Sequence, residues 1–575
     1  MSTHHRPGFS FPLIVFLSIN AYAQILPSTE PSSVVFTPAL TQPPPTEPID
    51  TTYQWSVPMP SPQFERRAYL WIPPTCQRVR GVVVGLQNML EKLMFQNGDF
   101  RDACAAENLA ILYIAPGSVS THKNDPALAL GFKDPKEGTR QLQQVLTDLA
   151  AESGYSEIQF APLITVGHSA ATPFVWGYTS TNPDRVIASI PYKGWIPGNA
   201  AAGVPILYTD SEWAEVGGPK WGLSWAKDAA VITKTRAASN AFLGEYIEIG
   251  NGHYAWQPAS AKILGMFIRK SMAARIPPDE PMDKPTQLKA VPIESGVLVD
   301  PATLGRADFK AYPYDDYPGD KKSAAWYFDN ELATTIDQYM SERLAKKPEV
   351  VDFLINGKPA PLDKTGTADL HPTLLADGVT WKVQACFLDK APAQLQYGDD
   401  SLGHASGGVY FHAGSGALKQ VGPDTFRVWL TRGGIERQGN PWDPWIIATA
   451  PGDAEYRSAD RPLHVWIDIR RKDGKPQTIE FPLMADQPAD TKSLKLEATA
   501  SSGLPVQYFV ISGPVEINGD DTLTFLPIPP RAIFSIRVLV GAYQWGRATG
   551  DKFASAGPVT CQFFITKPAK SLSRN

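Results

Sequence analysis

The chain has 575 residues, a formal net charge of −5 and 43% hydrophobic residues, enough apolar material for several packed cores. Its 53 basic residues are balanced by 58 acidic ones, with no long basic run, which argues against nucleic acid or an anionic membrane as partner. The four cysteines, Cys76, Cys104, Cys386 and Cys561, form no CxxC pair and no His/Cys cluster with zinc spacing, so no metal and no cofactor is expected.

In chain order, His4, His5 and Arg6 precede an apolar run from Phe9 to Ile19, which ends in Ala21-Tyr22-Ala23 before Gln24. A basic start, a short hydrophobic core and small residues at the cleavage point predict a signal peptide over residues 1–23 and a secreted or periplasmic mature protein. The run is too short for a stable bilayer span. No cysteine follows it to carry a lipid, so no membrane anchor is expected. Residues 24–51, with Pro43-Pro44-Pro45, are predicted to be an extended leader.

Alternation of apolar strands with helical runs then predicts an α/β domain over residues 52–276. Gly81 to Leu86 is an apolar strand followed by Gln87-Asn88-Met89-Leu90-Glu91. Leu163-Ile164-Thr165-Val166 runs directly into Gly167-His168-Ser169-Ala170-Ala171. A strand–Gly-x-Ser-x-Ala–helix passage is how a nucleophilic serine is presented on a sharp turn, with small residues two before and two after it. Strands follow at Val186 to Ile190 and at Pro205 to Thr209, then the acidic loop Asp210-Ser211-Glu212-Trp213-Ala214-Glu215. A helix over Trp225 to Ser239 and a strand over Tyr246 to Ile249 lead to Gly250-Asn251-Gly252-His253-Tyr254. Ser169 needs a base to take its proton, and His253, after the last strand, is the candidate. A carboxylate would fix its tautomer: Glu212 ranks first, Glu215 second and Asp210 third. His168 reads as structural. An oxyanion hole would draw one N–H from Ala170 and another from Gln87, with Asn88 as the alternative.

From Tyr53 to Ile276 these motifs resemble the α/β-hydrolase superfamily, in particular its secreted bacterial esterase-like branch. The resemblance implies a doubly wound sheet and a Ser-His-acid acyl-enzyme mechanism. The chain departs from the family pattern at the acid, where Asp210 to Glu215 replaces the usual Gly-x-x-Asp.

Pro277-Pro278, Pro281 and Pro285 mark a change of composition. A β-rich accessory domain is predicted over residues 285–490, with a helix from about Ala324 to Lys346 and strands at Val350 to Asn356, Trp381 to Asp389, Thr425 to Thr431 and Leu463 to Ile469. Trp442 and Trp445 are read as buried or loop-pinning rather than as a sugar platform. His404 and His412 are read as loop histidines. A Cys76–Cys104 bridge is compatible with export. Short strands at regular spacing over residues 491–568 predict a β-sandwich, and Ala500-Ser501-Ser502-Gly503-Leu504-Pro505-Val506 with Ser512-Gly513-Pro514 resembles bacterial Ig-like modules. Together these features predict an exported serine esterase whose ester substrate belongs to a carbohydrate or plant-type polymer. The alternatives are an exported peptidase and a non-catalytic surface-binding protein on the same scaffold. The oligomeric state is left open.

Overall fold

The computed structural model describes residues 35–37, 50–59, 66–117, 134–194, 196–197, 200–212, 225–362, 367–392, 401–432, 444–467 and 471–568, with the backbone alone at 35–37 and 225–231. The signal peptide, most of the leader, Glu215 and Trp442 lie outside the described residues.

Eight strands form one sheet: β1 (Trp55–Met59), β2 (Arg66–Trp71), β3 (Gly81–Leu86), β4 (Leu109–Ala115), β5 (Leu163–His168), β6 (Val186–Tyr192), β7 (Pro205–Ser211) and β8 (Phe242–Glu248). Their order across the sheet is β1-β2-β4-β3-β5-β6-β7-β8. β2 runs antiparallel to both β1 and β4, and every pair from β4 to β8 is parallel. Parallel strands are covered on both faces, which is why Val82-Val83-Val84 and Leu109-Ala110-Ile111-Leu112 are unbroken apolar runs rather than alternating ones. Val83 faces one layer, with α1 (Leu90–Gln96), α2 (Gly98–Ala106) and α6 (Ala259–Arg275). Val82 and Val84 face the other, with α3 (Pro135–Ser153) and α4 (Thr172–Thr181). The helix α5 (Trp225–Ser239) spans the residues the sequence predicts. This strand order, with one antiparallel strand inside a doubly covered parallel sheet, is the α/β-hydrolase architecture. Cys76 and Cys104 belong to opposite layers, and all four cysteines are free and buried. The Cys76–Cys104 bridge is therefore not formed.

The Pro-rich stretch after α6 turns the chain but does not end the core. Val297–Val299, Ala311–Pro313 and Ala325–Tyr327 make a small sheet. With α7 (Asn330–Leu344) it buries Val299, Tyr327, Ile336 and Met340 in the same cluster as Val83 and Ile247. The Tyr327 hydroxyl donates to the Glu245 carbonyl at 2.8 Å and accepts from the Glu245 N–H at 3.2 Å. It thereby occupies backbone groups on the outer edge of β8. α7 is shorter than predicted because Asp329 caps it, accepting from the Leu332 N–H at 3.0 Å.

Further on, small sheets surround a core of Trp381, Phe411 and Phe426. The strand predicted over Trp381 to Asp389 is broken into Thr380–Lys382 and Ala385–Phe387, which join different sheets. Val35–Thr37 pairs antiparallel with Ala385–Phe387. That part of the predicted leader is therefore a strand, its β-branched and aromatic residues suited to a sheet edge.

The C-terminal region is β-rich and built of small sheets, chiefly Gln507–Ser512, Ile536–Gln544 and Ala556–Thr566 with Gln487–Pro488, and Ser493–Lys495, Val515–Asn518 and Thr522–Phe525. It is not a spacer: Val510, Val538 and Ile565 share one apolar cluster with Val57, Leu70 and Leu112 of the large sheet. Arg432 ties three segments together, donating to the carbonyls of Tyr53 at 3.0 Å, Gly513 at 3.2 Å and Val515 at 2.7 Å. Among the described residues no helix is long and apolar enough to cross a membrane. A chain ending near residue 470 loses the apolar cover over Val57 and Leu70. It is expected to aggregate or to melt well below the full-length protein in calorimetry; an unchanged melting temperature would contradict the shared core.

Candidate active site

β5 ends in the sharp turn that its sequence predicts. Ser169 has φ +50°, a left-handed conformation that costs a non-glycine residue and persists only where its surroundings enforce it. A Cβ on Gly167 would lie 2.7 Å from the Ala171 carbonyl oxygen and 2.8 Å from a Val175 methyl, so strand and helix meet too closely for any side chain there. Ala171 is fully buried at the matching position. Ser169 is half-buried and Ala170 exposed, leaving the tip of the turn open to a ligand.

His168 joins the two halves of the site. The Asn88 amide donates to its carbonyl at 3.0 Å and contacts its Nδ1 at 3.1 Å. With Nδ1 accepting, the proton sits on Nε2, which donates to the His253 carbonyl at 2.9 Å. The two imidazoles lie 4.7 Å apart, centroid to centroid. His168 thus positions the turn against the His253 loop, in keeping with a structural role. His253 is almost wholly buried, its ring edge-on to Tyr254 at 4.6 Å.

Glu91 supports the turn from the other side. It is fully buried, and its carboxylate accepts from the N–H groups of His168 at 2.6 Å, Asn88 at 2.9 Å and Met89 at 3.0 Å. The sequence places Glu91 beside the predicted oxyanion loop but gives no sign of this reach. The Gln87 N–H donates to the Ile114 carbonyl at 2.8 Å as part of the sheet, and that of Asn88 is held by Glu91. Both backbone donors that the sequence offers for an oxyanion are thus engaged by other acceptors in this structure.

Two of the three acid candidates, Asp210 and Glu212, lie within the described residues. Asp210 is buried within β7, its Oδ1 accepting from the N–H of Ser211 at 2.8 Å. Glu212 leaves the strand and accepts from the Gly250 N–H at 2.7 Å, at the root of the His253 loop. Its other oxygen is paired with Arg457, which the sequence places far away in the accessory region. The same region touches the loop twice more. The Asp460 N–H donates to the Gly250 carbonyl at 2.9 Å, and a Cβ on Gly250 (φ +81°) would lie 2.0 Å from the Ser458 carbonyl oxygen. Trp445 stacks on Tyr254 at 4.6 Å and is itself buried, as its loop-pinning reading predicts. Among the described residues no group of three or more His, Cys, Asp or Glu is arranged to hold a metal ion.

No family model matches the chain, and no curated protein matches it in sequence. Solved structures similar to it include a soluble variant of monoglyceride lipase from Saccharomyces cerevisiae in complex with a substrate analog, with 10% identity and a TM-score of 0.28 over 40% of this chain and 99% of that one. Est1E from Butyrivibrio proteoclasticus has 12% identity and a TM-score of 0.26 over 38% of this chain and 99% of that one. An S-formylglutathione hydrolase from Agrobacterium tumefaciens has 13% identity and a TM-score of 0.27 over 38% and 94%. The fold assignment rests on the strand order and polarity of this chain.

Burial raises the Glu91 carboxyl to about 7, against the pull of the N–H groups it accepts from, and raises Asp460 to about 6. The fold therefore prefers both acids protonated. Their contribution to stability is complete below the ordinary carboxylate range and is lost as pH rises through about 6 to 7. Melting temperatures measured from pH 4.5 to 8 should fall across that window, and Glu91→Gln, which cannot ionise, should flatten part of the slope. An unaltered slope in the variant would show that Glu91 carries none of it.

Proposed function

We propose that this protein is an exported serine esterase acting through an acyl-enzyme. The observation that carries this reading is the left-handed backbone of Ser169 at the end of β5, with the His253 loop bonded to the adjoining residue. In this reading His253 takes the Ser169 Oγ proton as Oγ attacks the ester carbonyl, and the Ala170 N–H stabilises the oxyanion that forms. Collapse expels the alcohol, which leaves with the proton from His253. Water, activated by the same imidazole, then releases the acid and frees Ser169. Glu212, held by Gly250 and Arg457, is the favoured partner for the imidazolium.

A carbohydrate or plant-type polymer as the ester's carrier is supported by an aromatic row that starts at the site. It runs from Tyr254 through buried Trp445 to His464 at 4.9 Å and on to Trp466 at 4.9 Å, which is 39% exposed. At the far end of this row from His253, the exposed Trp466 indole presents a flat apolar surface that suits a sugar or phenolic ring. Export under a signal peptide over residues 1–23 belongs to the same proposal, and the N-terminal sequence of the mature protein checks it.

Fluorophosphonate labelling should map to Ser169, and Ser169→Ala should abolish both labelling and ester turnover, a loss of several orders of magnitude. Glu212→Gln should lower kcat far more than Asp210→Asn does, because only the acid that faces His253 orients it. Undiminished turnover by the Ser169→Ala variant would overturn the function; the reverse ranking of the two acids would move the acid role to Asp210.

A further inference from the structure

Neighbouring strands lie about 4.8 Å apart, so β8 lies roughly 14 Å from β5 across the sheet. For His253 to reach the turn at Ser169, the loop after β8 has to pass over the ends of β7 and β6. A glycine-rich loop of this kind does not hold such a path unaided. What lies beneath it is Lys193, the residue immediately after β6.

Lys193 is completely buried, and its ammonium donates to the Asn251 side-chain oxygen at 3.0 Å, the Gly252 carbonyl at 2.9 Å and the Ala255 carbonyl at 2.6 Å. These acceptors bracket His253. The charge is matched by Glu248, the last residue of β8, also completely buried, at 2.6 Å. Glu248 in turn accepts from the Asn251 amide at 2.9 Å and from the hydroxyls of Tyr192 and Ser260. Lys193 has φ +45°, and its own N–H is held by the Thr209 carbonyl at 2.6 Å. A lysine in a left-handed conformation, with its ammonium out of reach of water, is costly on both counts. No step of the proposed chemistry uses it.

We propose that the Lys193–Glu248 pair is the positioning device of the active site: it holds the loop over β6 and β7 so that His253 stands at Ser169. The inference rests on His253 being the base. Lys193 and Glu248 are positioning residues and touch no reacting atom.

Removing one charge would strand the other in the interior, so the informative variant is the neutral pair Lys193→Met with Glu248→Gln, which keeps the volume and the hydroxyl contacts. Asn251→Ala, which removes one acceptor of the Lys193 ammonium and one donor to Glu248 while leaving the charge pair in place, is the milder companion. On the full chain with p-nitrophenyl acetate, kcat of the double variant should fall about 100-fold, the scale of a roughly 1 Å misplacement of a catalytic group, with KM little changed. Fluorophosphonate labelling of Ser169 should slow in parallel. Diethyl pyrocarbonate, followed by peptide mass spectrometry, should modify His253 faster than in the parent, since the loop no longer holds it buried. Asn251→Ala should show the same changes to a smaller degree, and it decides the question if the double variant does not fold. A folded variant with a lower melting temperature but parental kcat and parental His253 modification overturns the inference, because the pair would then be merely structural. His253→Ala separates the two levels. If it is inactive while the double variant is not impaired, only the positioning role fails; if it retains parental turnover, the assignment of the base itself falls.

Discussion

A parallel sheet fixes where its strand ends lie, and that constraint governs the rest of this molecule. The Ser169 turn and the His253 loop grow from β5 and β8, with two strands between them. Every unusual feature around the site answers that separation. Lys193 supports the crossing loop from below, His168 holds its tip, and Glu212, with Arg457, Ser458 and Asp460, closes its root. Buried charge is expensive and is kept where it holds a geometry that apolar packing cannot specify. Lys193 and Glu248 sit at such a place.

The accessory region belongs to the same logic. A domain that only enlarged the protein would meet the sheet through a modest, polar interface. Here Ser458, Asp460 and Trp445 approach residues within a few positions of His253, and Arg457 pairs with Glu212, which holds Gly250. The C-terminal sheets meanwhile continue the apolar layer beneath β1 and β2. Catalytic-type fold and accessory sheets share cores on both faces, so they respond to heat or truncation as one body.

Much of this was legible in the sequence, and the reasons are local. Gly167, Ala171 and the run from Leu163 to Val166 specify a turn through short-range sterics, and the structure realises it with Ser169 at φ +50°. The order of strands, the helix Trp225–Ser239 and the C-terminal strands follow from periodicity and turn residues. What the sequence did not reveal depends on pairs far apart in the chain. Nothing near Arg457 announces Glu212, 245 positions away. Lys193 looks like any polar residue after a strand. The Gln87 amide, an expected oxyanion donor, is engaged by the Ile114 carbonyl because β3 extends one hydrogen bond further toward β4 than its apolar run suggests. The composition break at Pro277 is real, but composition reports solvent exposure of a segment and not where a core ends; Tyr327 and Met340 lie beyond it and inside.

The contact between Gly250 and Ser458 has a consequence for descent and for engineering. Because the Ser458 carbonyl stands where a side chain on residue 250 would begin, the two segments can change only together. An α/β domain carrying a larger residue at 250 cannot accept this accessory region, and this accessory region cannot be grafted onto another domain of the same fold without bringing the glycine along. Chimeras that exchange the accessory region would therefore have to cut elsewhere, transferring residues 457–460 and the histidine loop as one unit.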